Sequence, residues 1–179
     1  TFASALVQHM AAGTAPQNIV QLRALANQMR GPDAPMPTAD DLFDAVELAM
    51  NFFIMQGDNF NPTGDLTQAI AAAEYLALRR GQLPTKTTRT DETQRLQQFS
   101  TPPDYAYAVA WVANLQPEDV VLEPSAGTGS LAAFFPWAVG MNNVYVNEIA
   151  ARRLEALDAL GFRHVRTDDG AFLYSLRSA

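Results

Sequence analysis

The chain has 179 residues, 48% of them hydrophobic and 17% charged, which supplies apolar material for one globular domain or two small packed units. It has no cysteine and only two histidines, His9 and His164, which excludes disulfides, thiolate metal sites, a cysteine nucleophile and a histidine-rich metal cluster. The net charge is -7, and no apolar run approaches the ~18 residues of a membrane span, so neither a membrane nor a metal is an expected partner.

The opening TFASALVQHM lacks the basic start and long apolar stretch of a signal peptide, and the chain is read as cytoplasmic. Helical spacing follows in three runs: Ile19, Leu22, Ala26 and Met29; Leu42, Ala45, Ala49 and Phe53; Leu66, Ile70, Ala73 and Ala77. Thr38 with Asp41 three residues on suits a capping box, and RGPDAPMP and QGDNFNPTGD are breaks between helices. Within the second break, FNPTG reads as an Asn-Pro turn. The polar, basic stretch RRGQLPTKTTRT reads as a linker closing an α-helical subdomain of residues 1–90. Charge is uneven: residues 1–78 hold two basic residues against eight acidic ones, whereas residues 79–99 hold five basic against two acidic. The segment from Arg79 to Arg95 is therefore the one strip suited to phosphate contacts, and the plainer reading of it is a solvated basic linker.

From residue 91 to 179 the period changes. DVVLE reads as a strand, EPSAGTG as a turn, SLAAFFPWAVG as a short helix broken near Pro136, NVYVNE as a second strand, IAARRLEALDALG as an amphipathic helix and FRHVRTD as a third strand. This rhythm predicts an α/β fold of parallel strands in the order third, second, first, with right-handed crossovers and a ligand at the strands' carboxyl ends. The DVVLE strand would keep one apolar edge, to be covered by a further strand, by the helical region or by a second copy of the chain.

Gly127 and Gly129 let the backbone turn tightly and approach a ligand, and the helix after them would aim its free N–H groups at the same spot. A Walker phosphate loop fails, because the only lysine is Lys86. A dinucleotide turn stays open: Gly127, Gly129 and Ala132 satisfy its spacing, and Glu148 lies near the ribose-binding distance. Glu123 separates the remaining cases. A carboxylate at the strand end repels a pyrophosphate and suits a ligand carrying ammonium and sulfonium groups, which describes S-adenosylmethionine.

VVLEPSAGTGSLA resembles motif I of the γ-type adenine-specific DNA methyltransferases, which are class I S-adenosylmethionine-dependent enzymes. FSTPPDYAYAVAWVANL is similar to their upstream cofactor motif, NEI at 147–149 to the acidic second motif and TDDGAFL to the third. The resemblance covers roughly residues 97–176. With its helical lead-in, the chain is also similar to the amino-terminal part of strawberry notch-like methyltransferase-helicase polypeptides found with mobile elements. The resemblance implies that residues 91–179 are the cofactor-binding half of a methyltransferase domain, a partial Rossmann-like sheet made of its first three strands.

It also implies roles. Thr101, with Ser100 and Pro102, would hold the methionine carboxylate, and Glu123 would face the ammonium group. Pro124 and Ser125 would belong to the cofactor-binding turn, whose amides from Ala126 to Gly129 would line the methionine chain. Glu148 would accept both ribose hydroxyls, Ile149 would pack on adenine, and Asp169, or failing that Asp168, would accept from the adenine amino group. Plainer readings stand beside these: Thr101-Pro102-Pro103 as a helix start and Asp168-Asp169 as an ordinary turn.

The [ND]-P-P-[YF] segment with which that family orients the target amine is missing from the sequence, since FNPTG lacks both the second proline and the aromatic. No catalytic residue is therefore assigned, and the chain alone is expected to transfer no methyl group. The complete polypeptide is expected to act on adenine N6 in DNA, gripping DNA through parts outside this chain, and the chain to associate with itself or with that remainder. The alternative is a non-enzymatic, truncated or degenerate module that serves as a structural or partner-binding component. A fragment of an NAD-binding oxidoreductase is the third reading.

Overall fold

The computed structural model describes residues 1–31, 33–57, 59–86 and 100–170. Four helices come first: α1 (Phe2–Ala11), α2 (Ile19–Met29), α3 (Ala39–Gln56) and α4 (Leu66–Gly81). Each starts where a side-chain oxygen satisfies an otherwise orphaned amide: Thr1, Asn18, Thr38 and Asp65 all accept from the backbone N–H three residues on. The expected Thr38–Asp41 capping box is present, and Asp65 forms a second with Gln68. Helix α1 was not among the expected helices, although Ala3, Leu6 and Met10 give it a buried stripe at helical spacing.

The stripes on α2 and α3 match expectation at Leu22 and Ala26 and at Leu42 and Ala49, all buried. On α4 the face is rotated. Leu66 and Ile70 are 59% and 50% exposed, and the helix instead buries Ala69, Ala72 and Leu76 against helix α5 (Pro103–Ala113). With alanines at 71, 72 and 73, either side of α4 can be apolar, and small side chains allow the closer approach.

Helix α4 also runs through Arg79, Arg80 and Gly81, so the first three residues of the expected linker are helical. Both arginines lie in its last turn, where the helix dipole favours cations. Arg79 donates to the Met10 carbonyl at 2.6 Å and lies over the Phe53 ring, Arg80 pairs with Asp104 at 2.9 Å, and Lys86 pairs with Asp40 at 2.7 Å. These three members of the basic strip are thus engaged within the protein. Arg89, Arg95 and the expected 90/91 boundary lie outside the described residues.

Helix α5 is tied to the break before α4 by its aromatic side chains. Trp111 Nε1 donates to the Gly64 carbonyl at 2.8 Å and the Tyr107 hydroxyl to the Asn61 carbonyl at 3.3 Å. The Asn61 side chain accepts from both the amide and the hydroxyl of Thr63, which gives the expected Asn-Pro turn.

The sheet follows: β1 (Val121–Glu123), a 3-10 turn (Ala132–Phe134) running into α6 (Phe135–Val139), β2 (Val144–Asn147), α7 (Ala151–Ala159) and β3 (His164–Arg166). All three strands are parallel, in the order β1-β2-β3, with Glu123 opposite Val146 and Asn147 opposite Arg166. Among the described residues the molecule is α/β with an open three-stranded sheet. Two local expectations change. Pro136 sits in the first turn of α6, where it needs no N–H, and does not break a longer helix. Residues 127–131 form turns, so no helix starts directly after the glycines to aim its amides at a ligand.

The central strand carries the buried side chains of Val144 and Val146, while all three residues of β1 are half-buried and Val120 before it is exposed. One continuous apolar core takes Leu6, Leu22, Leu42, Ile54 and Leu76 from the helices and Phe134, Val144, Val146 and Leu157 from the sheet region. Among the described residues no helix is long and apolar enough to cross a membrane.

Candidate functional site

The carboxyl ends of the three strands are joined by Asn147, the last residue of β2. Its Nδ2 donates to the Pro124 carbonyl at 3.0 Å and to the Asp168 carbonyl at 2.8 Å, and its Oδ1 accepts from the Asp168 amide at 2.9 Å. The backbone repeats the connection, with Ala126 N donating to the Asn147 carbonyl and Glu148 N to the Arg166 carbonyl. The strand ends therefore form a rigid rim, and above it opens a cavity of about 170 Å³.

Ser100, Thr101 and the run Glu123 to Gly127 border this cavity, as do Glu148, Ile149 and Asp168. Residues from four separate segments of the chain thus converge on one space. Thr101 does not cap α5, whose N-cap is Pro102 without a side-chain bond. Pro102 borders an adjoining cavity of about 180 Å³ that shares Ser100, Thr101 and Ser130 with the first. Asp169 is exposed and does not border the cavity, and Phe99 of the upstream motif and residues 171–173 of the third motif lie outside the described residues.

Glu148 is 6% exposed, and both its oxygens are in use: Oε2 accepts from Gly127 N at 2.8 Å and Oε1 from Ala150 N at 2.7 Å. Each oxygen keeps a second lone pair. Glu123 differs. Among the described residues its Oε1 accepts only from Ser125 N, at 3.2 Å, and burial pushes its carboxyl above the usual range against that bond. Among the described residues no basic side chain pairs with it.

The two glycines serve different ends. Gly127, at φ +59°, borders the cavity. Gly129, at φ +93°, does not: a Cβ there would lie 2.9 Å from Leu160 Cδ1 and 3.2 Å from Leu157 Cδ2. A glycine there keeps the turn clear of Leu157 on α7 and of Leu160 just after it.

No family model, curated protein or solved structure matches the chain.

What the cleft can do therefore follows from its own groups. Three carboxylates offer acceptors, Glu123, Glu148 and Asp168, of which among the described residues only Asp168 pairs with a basic side chain, Arg166; the exposed side chain of Ile149 offers an apolar wall; and Gly127 lets a ligand approach the backbone. Among the described residues no three His, Asp or Glu converge to hold a metal.

Sequence reasoning missed Ser130, Leu131, Arg153 and Gly170, which also border the cavity, and gave the side chains of Thr128 and Asn147, inside its motifs, no role. Arg153 is 5% exposed, and its Nη1 lies 3.3 Å from where a Cβ on Gly127 would stand. Its Nη2 lies 3.7 Å from Asp44 on α3, which also pairs with Arg152. Burial and the Glu47 carboxylate push Asp44 up to about 6, against the pull of Arg153, Arg152 and Lys86. In an amphipathic helix an arginine reads as solvent face, so only the arrival of α3 identifies this one as buried.

Proposed function

We propose that the chain is the S-adenosylmethionine-binding part of a methyltransferase and that this cleft, on a Rossmann-like half sheet, holds the cofactor. The observation that supports it best is Glu123, a half-buried carboxylate on the cleft wall with no cation beside it among the described residues. A ligand with a positive group near this oxygen favours the ionised form that burial disfavours, and S-adenosylmethionine carries two such groups.

The remaining groups fit the same ligand. Glu148 can accept from the ribose diol through the lone pairs that Gly127 and Ala150 leave free, and Ile149 can cover one adenine face. Asp168 is the better placed of the two aspartates to accept from the adenine amino group, and the Thr101 hydroxyl is free of α5 to meet the methionine carboxylate. When bound, the cofactor supplies an electrophilic methyl group. The residues of this chain orient it, and the acceptor, adenine N6 in DNA, is held by groups outside this chain.

Calorimetric titration with S-adenosylmethionine, its demethylated product and NAD tests the reading. Heat from the first two and none from NAD is expected. A folded protein giving no heat with either methionine ligand would overturn it.

A further inference from the structure

Helix α3 carries polar side chains at Asp44, Glu47 and Asn51, three and four residues apart and so on one face of a helix otherwise buried through Leu42, Val46, Ala49 and Ile54. That face meets the glycine turn. Asn51, 2% exposed, donates from Nδ2 to the Thr128 carbonyl at 2.8 Å, across 77 residues of sequence. One turn earlier, Glu47 Oε2 accepts from Thr128 Oγ1, also at 2.8 Å. Asp44 completes the stripe by pairing with Arg152 and, at 3.7 Å, with Arg153 beside Gly127.

Thr128 is the residue between two glycines that both hold positive φ. Such a tripeptide has wide conformational freedom of its own, and each restraint on it lowers the ordering cost that a ligand would otherwise meet. Here α3 restrains the carbonyl and the hydroxyl of Thr128 at once. The peptide on its amino side carries the Gly127 carbonyl, and the amide of Gly127 is the one bonded to Glu148. Neither Glu47 nor Asn51 borders the 170 Å³ cavity; both border the adjoining one.

We propose that Glu47 and Asn51 are positioning residues of the cleft, which fix the Thr128 peptide and thereby hold the glycine turn in its ligand-ready form. This rests on the cleft being the cofactor site, and it adds that the amino-terminal helices are a working part of that site. Ligand affinity then depends on residues roughly 80 positions upstream of the turn.

The test has two readouts: amide hydrogen exchange over residues 124–131 in the ligand-free protein, and the calorimetric Kd for S-adenosylmethionine. Asn51→Leu and Glu47→Ala are expected to speed exchange in the turn and to weaken binding about ten-fold, the scale of one hydrogen bond. Glu47→Gln, whose amide oxygen can still accept from the Thr128 hydroxyl, is expected to match wild type in both. If Asn51→Leu does not fold, Thr128→Val tests the Glu47 link from the other side, keeping the shape and removing the hydroxyl that Glu47 accepts from, and is expected to exchange faster as well. Unchanged turn exchange in folded Glu47→Ala, or Glu47→Gln as impaired as Glu47→Ala, would overturn the proposal. So would faster exchange with no change in affinity. A wild-type protein that binds no methionine ligand, while its turn still responds to Glu47→Ala and not to Glu47→Gln, would instead sink the cofactor reading and support α3's hold on the turn.

Discussion

Glu123 stands where a strand end meets the cleft, and burial removes more from its carboxylate than the single Ser125 amide returns. A carboxyl group raised in the fold is penalised when ionised. Its contribution to stability is thus fully present below the unfolded value of ~4.3 and is lost as pH rises through the folded value. Glu123→Gln is expected to melt close to wild type at acid pH and above it at neutral pH, in the absence of ligand. The same substitution should weaken S-adenosylmethionine binding, because the cation loses its counter-charge. Thermal melts across this pH range, with and without ligand, check both halves. A variant melting below wild type at neutral pH would mean that Glu123 has a cation partner in the free protein.

Between elements, the decisive contact at the cleft is Asn147. Parallel strands of three and four residues are short, and the backbone bonds at the sheet's carboxyl rim are reinforced by one side chain that bonds Pro124 after β1 and Asp168 after β3. Removing it takes a partner from three part-buried backbone groups, the Pro124 and Asp168 carbonyls and the Asp168 amide. Asn147→Ala is expected to cost about 2–4 kcal/mol in denaturant unfolding, reflecting three lost hydrogen bonds and the groups they abandon. A loss under about 0.5 kcal/mol would show that backbone pairing alone holds the rim together. The rotated face of α4 belongs to this scale too, since the alanine-rich partner surface of α5 chose between two equally apolar sides.

For the whole molecule, the continuous core has a cooperative consequence. Phe134 from the sheet region meets Tyr107 of α5 edge-on at 5.5 Å, α5 packs on α4, and α3 contacts both the 3-10 turn and α7. No described layer of apolar contacts is confined to one half of the chain. Helical circular dichroism and the fluorescence of Trp111 and Trp137 are therefore expected to report one unfolding transition with a single midpoint. Two separated midpoints would show that residues 1–90 and 91–179 fold as independent units.

The amino-acid sequence by itself determined the alternation of strand, turn and helix after residue 119 and the parallel order of the strands, because periodicity and turn residues act over a few positions. It also marked Glu123, Gly127, Glu148 and Ile149 as neighbours, since strand ends in a parallel sheet meet on one edge whatever packs around them. Only the tertiary structure decided that Gly129 serves the packing of α7, that both oxygens of Glu148 already hold backbone amides and that Arg153 is buried. The same holds for Glu47 and Asn51 reaching Thr128 across about 80 residues. Those outcomes depend on which helix face arrives at the turn, and a polar residue on an amphipathic helix has the same local pattern whether it meets water or another chain segment.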